Sequence, residues 1–375
     1  MFYYRTMLVE AKEIGRRIAD ARGRAGFTQA DLAQEIALDR SALAKIETGD
    51  RRVTALELAR IAQAVGARIE WFVEQAPEAI VSRRNRQEPG APSPRIDQWA
   101  ERVARAVEFT VGSSLGGVPA ETMPTDRNEA ERLAAKARRL LGAAQDGPLP
   151  DLAEHVAEIG LLAFSFDLGV DSADAATVLL RSGGIAIVNG ASQVGRRRLA
   201  LAHELGHYLV ADEYTVDWRI AEQTGAERRE SLLDRFARAL LLPADSLRRD
   251  WAKSADGPTG DPRAAAVRVA SAYRVDMATL SRRLSELGII DGTAAGRVRA
   301  VRTTRADIVE HGLVVADELA PPALPRAYER AVLRLYRQED VSAARALDLL
   351  FDTWDEPSLP QLPQRPEHDI WQFVQ

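Results

Sequence analysis

The chain has 375 residues, of which 46% are hydrophobic and 28% charged, and a formal net charge of -5; that is length for two or three domains, and too little positive charge for any contact with nucleic acid to be more than local. It contains no cysteine, which excludes disulfides, thiolate zinc sites and cysteine nucleophiles together, fits a reducing compartment, and leaves His, Asp and Glu as the only strong metal ligands. No run approaches the roughly 18 apolar residues that span a bilayer, and the opening residues lack the basic start and small-residue cleavage site of a signal peptide, so the expected location is the cytoplasm and no membrane partner is expected.

From Ile14 to about Phe72 short amphipathic helices alternate with brief polar or glycine breaks, which predicts an all-α domain over residues 10 to 76. The stretch "FTQADLAQEIALDRSALAKIETGDRRVTALELARIAQAVG" resembles the helix-turn-helix repressors of the XRE type. Thr28 suits the N-cap of the first motif helix and Asp39 that of the second. The second helix turns Leu43 and Ile46 to the core and carries Arg40, Ser41, Ala42 and Lys45 outward. In such motifs the early part of the second helix reads base edges and the first lies across the backbone. The resemblance therefore assigns Arg40, Ser41 and Lys45 to base edges and Gln29, Arg51 and Arg52 to phosphates of double-stranded DNA. The nearly balanced charge of this segment predicts modest affinity with strong salt dependence, and leaves a bundle used for protein contacts as the alternative.

Residues 77 to 125 read as a linker with a helix: "SRRNRQEPGAPSPR" concentrates Pro, Gly and charge, "IDQWAERVARAVEFTVGSS" has helical period, and "LGGVPAETMPTDRN" is a second flexible stretch. A new domain is expected over residues 126 to 292. Residues 129 to 142 and 150 to 160 have helical spacing, while "LLAFSFDL" and "GGIAIVNG" read as strands of a small sheet. The helix "LALAHELGHYLVADE" follows; a second long helix, "ERRESLLDRFARALLLP", stops at Pro243, and "AAAVRVASAYRVDMATLSRRLSELGII" supplies two more with a turn near Val275 and Asp276. Residues 293 to 375 are mostly helical and receive no chemistry.

Within the quoted helix His203 and His207 stand four residues apart, one above the other on a single face, where both imidazoles can reach one ion. Glu204, rotated about 100° from His203, can reach a water on such an ion. This is the logic of H-E-x-x-H: three protein ligands and a water on zinc, with the glutamate moving the water's proton to the leaving amine. An amphipathic helix with two half-exposed histidines is the alternative, weakened because Leu199, Ala202, Leu205, Gly206 and Leu209 form a stripe that can be buried. Two histidines need a third ligand. Glu213 lies ten residues after His203, but Val210 stands where the corresponding arrangement needs glycine. Glu230 is the better candidate, because it shares a helix face with Asp234 and one carboxylate can bind metal while the other accepts the spare N–H of a ligating histidine. The alternative for this pair is a solvated acidic face beside Arg228, Arg229 and Arg235. His155, His311 and His368 have no partner at a ligand spacing.

"RRRLALAHELGHYL", the later "E-x-x-x-D-x-F-A-x-x-L-L-x-P" and the preceding "GGIAIVN" resemble the ImmA/IrrE family of zinc metallopeptidases over roughly residues 126 to 292. The family pattern carries Asn four residues after the ligand glutamate, where this chain has Asp234. The resemblance implies one Zn2+ per chain, with Mn2+ as the alternative ion, a role in cleaving helix-turn-helix repressors, and an edge strand, here the one ending at Asn189, along which an extended substrate pairs. The expected architecture is α+β and multidomain: a helix-turn-helix domain, a zincin-like domain with a small sheet and an HExxH helix, and a helical C-terminal region. The expected activity is that of a DNA-binding zinc endopeptidase acting on an XRE-type repressor or antitoxin. The alternative is a non-catalytic regulator or antitoxin that uses the zincin-like domain as sensor or scaffold. Partners are then DNA and a protein substrate, with a homodimer allowed.

Overall fold

Capping residues punctuate the first of two units in the computed structural model, Met1–Pro77, the second being Glu78–Gln375. The structure describes residues 11–65, 69–73, 80–84, 94–117, 120–210, 226–255, 261–313 and 317–362. Among the described residues the first unit has five helices: α1 (Ala11–Arg24), α2 (Gln29–Glu35), α3 (Arg40–Glu47), α4 (Ala55–Ala64) and α5 (Ile69–Val73). Thr28 with Asp31, and Thr54 with Glu57, close reciprocal capping boxes that start α2 and α4. Asp39 occupies the N-cap of α3 without a side-chain cap bond, so the expected capping role is corrected to one of backbone position alone. Ile18, Leu32, Leu43, Ile46, Ile61 and Phe72 form the buried core. Gly15 lets α1 approach α3 closely, since a Cβ there would stand 2.2 Å from the Ile46 carbonyl oxygen.

The second unit begins with strand β1 (Ile80–Arg84) and helix α6 (Pro94–Thr110). Helices α7 (Arg127–Leu140) and α8 (Leu152–Glu158) follow, then strands β2 (Leu161–Phe166), β3 (Ala175–Leu179) and β4 (Gly184–Asn189), and the helix α9 (Val194–Leu209). The remaining helices are α10 (Ala226–Leu241), α11 (Ala244–Ala255), α12 (Pro262–Tyr273), α13 (Met277–Glu286), α14 (Gly292–Ala300), α15 (Arg305–Glu310), α16 (Arg326–Arg337) and α17 (Ala343–Leu349). The sheet has the order β1-β3-β4-β2. β4 runs parallel to β2 and antiparallel to β3, and β1 is antiparallel to β3.

Both faces of this sheet are buried, and they differ. Ala163, Ala175, Ala186 and Val188 point toward the cluster that contains α9 and α10, and such small side chains let a helix lie close to the strands. Leu162, Phe164, Phe166, Val178, Ile185 and Ile187 point to the opposite cluster, shared with α6, α16 and α17. There Phe164 meets Tyr328 and Phe351 edge to face, and those two rings stack on each other. The architecture is α+β with a helical first unit and a small sheet beside the helix of His203 and His207.

Residues 77 to 125 hold the expected helix, α6, which buries Ile96, Val103 and Val107 completely, and also β1, which joins the sheet and was hidden in the sequence among Pro, Gly and charge. In the mostly helical residues 293 to 375, Tyr328, Val332 and Leu349 complete the core on the far side of the sheet. One expectation is corrected: β4, which ends at Asn189, is not an edge strand but an interior one, because the unrecognised β3 pairs with its other side. Among the described residues no helix is long and apolar enough to cross a membrane.

Candidate metal centre and nucleic-acid interface

Helix α9 is buried along nearly its whole length, with His203 at 2%, Glu204 at 0% and His207 at 7% exposure. That removes the alternative of half-exposed histidines on a surface helix. Gly206, between the two histidines, meets Phe236 and Leu233 of α10, where a Cβ would stand 3.0 and 3.1 Å from their side chains. The glycine therefore serves helix packing, and it brings α10 within reach of the imidazoles.

Three ligand atoms converge there. His203 Nε2 lies 3.1 Å from His207 Nε2 and 3.1 Å from Glu230 Oε2, and His207 Nε2 lies 3.4 Å from Glu230 Oε1. Ligand atoms about 2.0–2.1 Å from a tetrahedral ion stand about 3.3 Å from one another, so the three edges have the size that a zinc-like ion sets. The donor set fits such an ion: two imidazoles and a carboxylate, all within 4.8 Å of one another. Burial pushes the Glu230 carboxyl up, but the hydrogen-bonding imidazoles of His203 and His207 outweigh it and hold it well below the usual carboxylate range. The carboxylate is thus anionic, as a ligand must be.

His203 Nδ1 lies 3.0 Å from Asp234 Oδ1. An Asp234 that accepts the Nδ1 proton would leave the Nε2 lone pair for an ion shared with Glu230 and His207. Arginines hold the α10 platform. Arg238 reaches Asp234 at 3.9 Å and pairs with Glu286 at 2.8 Å, while Arg138 and Arg283 donate to the Leu240 and Leu242 carbonyls at the end of α10. Cationic donors there satisfy carbonyls that helix geometry leaves open and complement the helix dipole.

Glu204, the residue after His203, is fully buried and reaches β3. The Thr177 hydroxyl donates to Glu204 Oε2 at 2.6 Å, which fixes the carboxylate's orientation in a fully buried place. Sequence reading missed Thr177, along with the strand that carries it. The one available signal was the β-branched pair in "AATVL". Glu213 lies outside the described residues. His155 accepts a structural place, its Nδ1 2.9 Å from the Leu141 carbonyl oxygen.

In the first unit Arg40, Ser41, Lys45 and Arg52 are exposed, and Ala42 is half-buried. Leu43 and Ile46 turn inward as their spacing requires. Gln29 and Arg51 are instead engaged within the protein: the Gln29 amide donates to Glu47 at 2.7 Å and Arg51 to Glu57 at 2.7 Å. Arg22 also donates to Glu47 at 2.6 Å, tying α1, α2 and α3 together at one carboxylate.

Residues 13–70 match the family described as a helix-turn-helix domain, and residues 159–285 match the one described as an IrrE N-terminal-like domain. No curated protein matches the chain.

Proposed function

Since these two matches place the chain with ImmA/IrrE-type proteins that carry a helix-turn-helix domain, we propose that it is a DNA-tethered, metal-dependent endopeptidase whose substrate is a helix-turn-helix repressor or antitoxin. The observation that carries the reading is the convergence of His203, His207 and Glu230 beside a buried Glu204 held by Thr177. His203, His207 and Glu230 would hold one Zn2+, with Mn2+ as the second choice, and Asp234 would set the His203 tautomer. A divalent ion there would supply Lewis acidity to the scissile carbonyl and to the attacking water. Glu204 takes the proton of that water and passes it to the leaving amine nitrogen. Thr177 holds the carboxylate in the orientation this transfer needs. Arg40, Ser41 and Lys45 read base edges and Arg52 grips phosphate, with Gln29 and Arg51 reaching phosphate from their intramolecular bonds, so the peptidase is delivered to genes that its substrate represses.

The test is Glu204→Gln. The amide oxygen still accepts from Thr177, so fold and metal content should be kept, yet an amide cannot take a proton from water. A candidate repressor incubated with each metal-loaded protein should be cleaved by the wild type alone, with derepression of a reporter to match. Derepression by both proteins without cleavage would overturn the peptidase and leave a non-catalytic regulator.

A further inference from the structure

We propose that the outer edge of β3 is the substrate-binding edge and that β1 is its built-in occupant, so that an extended segment of the substrate must take the place of β1; this rests on the peptidase reading above. The two sheet edges differ. On β2, Ser165 exchanges both main-chain hydrogen bonds with Ala323 and its hydroxyl donates to the Leu319 carbonyl, so that edge is occupied at this one residue. On the other side β3 carries Thr177, whose hydroxyl holds Glu204, so the main chain of β3 runs directly past the proposed general base. The strand lying on that edge is β1, antiparallel, with Ser82 paired to Thr177 itself. β1 also touches α9.

An extended peptide that adds to a sheet edge gains its affinity from main-chain pairing, and β1 uses that pairing at the register where a scissile bond would have to lie. Its pairing is the shortest in the sheet among the described residues. The pairing slips between Ile80 and Ser82, whereas β3 and β4 pair through five consecutive residues; an irregularity of that kind leaves ladder groups unpaired. β1 opens the described part of the second unit, which follows the first at Glu78.

The chain has no cysteine, so one engineered disulfide can pin β1 without competitors. Arg83 and Ala176 are Cα partners, and antiparallel partners stand about 4.5–5.5 Å apart, within disulfide reach. In the full chain, Arg83→Cys with Ala176→Cys is compared oxidised and reduced, zinc-loaded, on fluorescein-labelled denatured casein. A second protein carries Val81→Pro with Ser82→Pro. Neighbouring strand residues send their N–H groups to opposite sides, so the double change removes a donor to β3 whichever residue supplies it. If the open edge is a minor state of about 10% or less, freeing it should raise kcat/KM by about tenfold or more. The oxidised pair, with no open edge, should lose cleavage by at least about tenfold and regain it on reduction. Equal turnover by oxidised and reduced protein overturns the proposal while the peptidase reading stands. If no zinc-loaded form cleaves, both fall. Should the proline pair lose its circular dichroism spectrum, the reversible disulfide decides alone.

Discussion

Removing the carboxylate behind His203 separates a metal site from an accidental cluster. Asp234 Oδ1 stands 3.0 Å from His203 Nδ1 while Nε2 of the same ring faces Glu230 and His207, so Asp234→Ala should leave the three ligands in place and release the tautomer and ring orientation. Losing such a partner typically costs about 10–100-fold in metal affinity, or about 1.4–2.8 kcal/mol. The Asp234 side chain is 38% exposed, so water can replace part of what it supplies, which puts the expectation near tenfold. Asp234→Asn keeps an oxygen that accepts the same proton and should cost less than Asp234→Ala, and Arg238 retains Glu286 as its counter-charge. The assay is competition for Zn2+ against a chromogenic chelator, with circular dichroism of the metal-free proteins as the control for fold. Wild-type affinity in Asp234→Ala, or an Asn variant as damaged as the Ala variant, would refute the proposed role of this hydrogen bond.

In the first unit, the Arg16 hydrogen bond, opposed by partial burial and joined by Arg17, draws the Glu13 carboxyl from 4.5 down to about 2. A carboxyl lowered on folding stabilises above its unfolded pKa and loses that effect as pH falls through its folded one. The melting-temperature gap between wild type and Glu13→Gln should therefore be constant above about pH 5 and close toward pH 2; being partly exposed, the pairs are worth only about 0.2–1 kcal/mol each, and a gap that widens in acid would contradict the assignment. Gly15→Ala should destabilise the unit by about 1–3 kcal/mol in spite of alanine's helix preference of about 1 kcal/mol, because the new Cβ meets the Ile46 and Glu47 carbonyl oxygens at 2.2 and 2.7 Å; a raised thermal midpoint would contradict it. Arg40→Ala should relax preference at particular base pairs, whereas Arg52→Ala should weaken binding to all sequences and flatten its salt dependence, and titrations on matched and scrambled duplexes that lose affinity equally would reject that division.

What could be read in the sequence was local. His203 with His207 and Glu230 with Asp234 are pairs four residues apart on helices, a spacing that fixes a shared face before any tertiary contact forms. The inward turn of Leu43 and Ile46 has the same origin. Strands were harder, because burial on both faces of the sheet removes the alternation that marks a half-exposed strand. β2 and β4 remained legible through their bulk, but β3 reads Ala-Ala-Thr-Val-Leu and β1 ends in Arg-Arg. Thr177 was lost with β3, and with it the partner of Glu204. The run "GRRRLALA" looks like a polar helix start, yet Arg198 is 0% exposed and pairs with Glu318, as Arg197 does with Asp317. Those partners lie some 120 residues downstream, where no local pattern can reveal them.

That long-range dependence sets where the peptidase can be cut. A fragment starting at Asp126, the boundary the composition suggests, lacks α6 and with it Ile96, Val103 and Val107, each 0% exposed against the sheet. Burying one such side chain is worth about 1.5–3 kcal/mol, so the three together supply roughly 5–9 kcal/mol of a domain stability that is itself only about 5–15 kcal/mol. The fragment also lacks β1, leaving the β3 edge uncovered and prone to pair with other chains. A fragment of residues 78 to 375 keeps both elements and every proposed ligand, and should melt cooperatively and bind one Zn2+ while no longer binding DNA. Residues 126 to 375 should instead expose apolar surface, bind a hydrophobic dye and aggregate. Cooperative melting and stoichiometric zinc in the shorter fragment would mean that α6 is an attached cover and not part of the core.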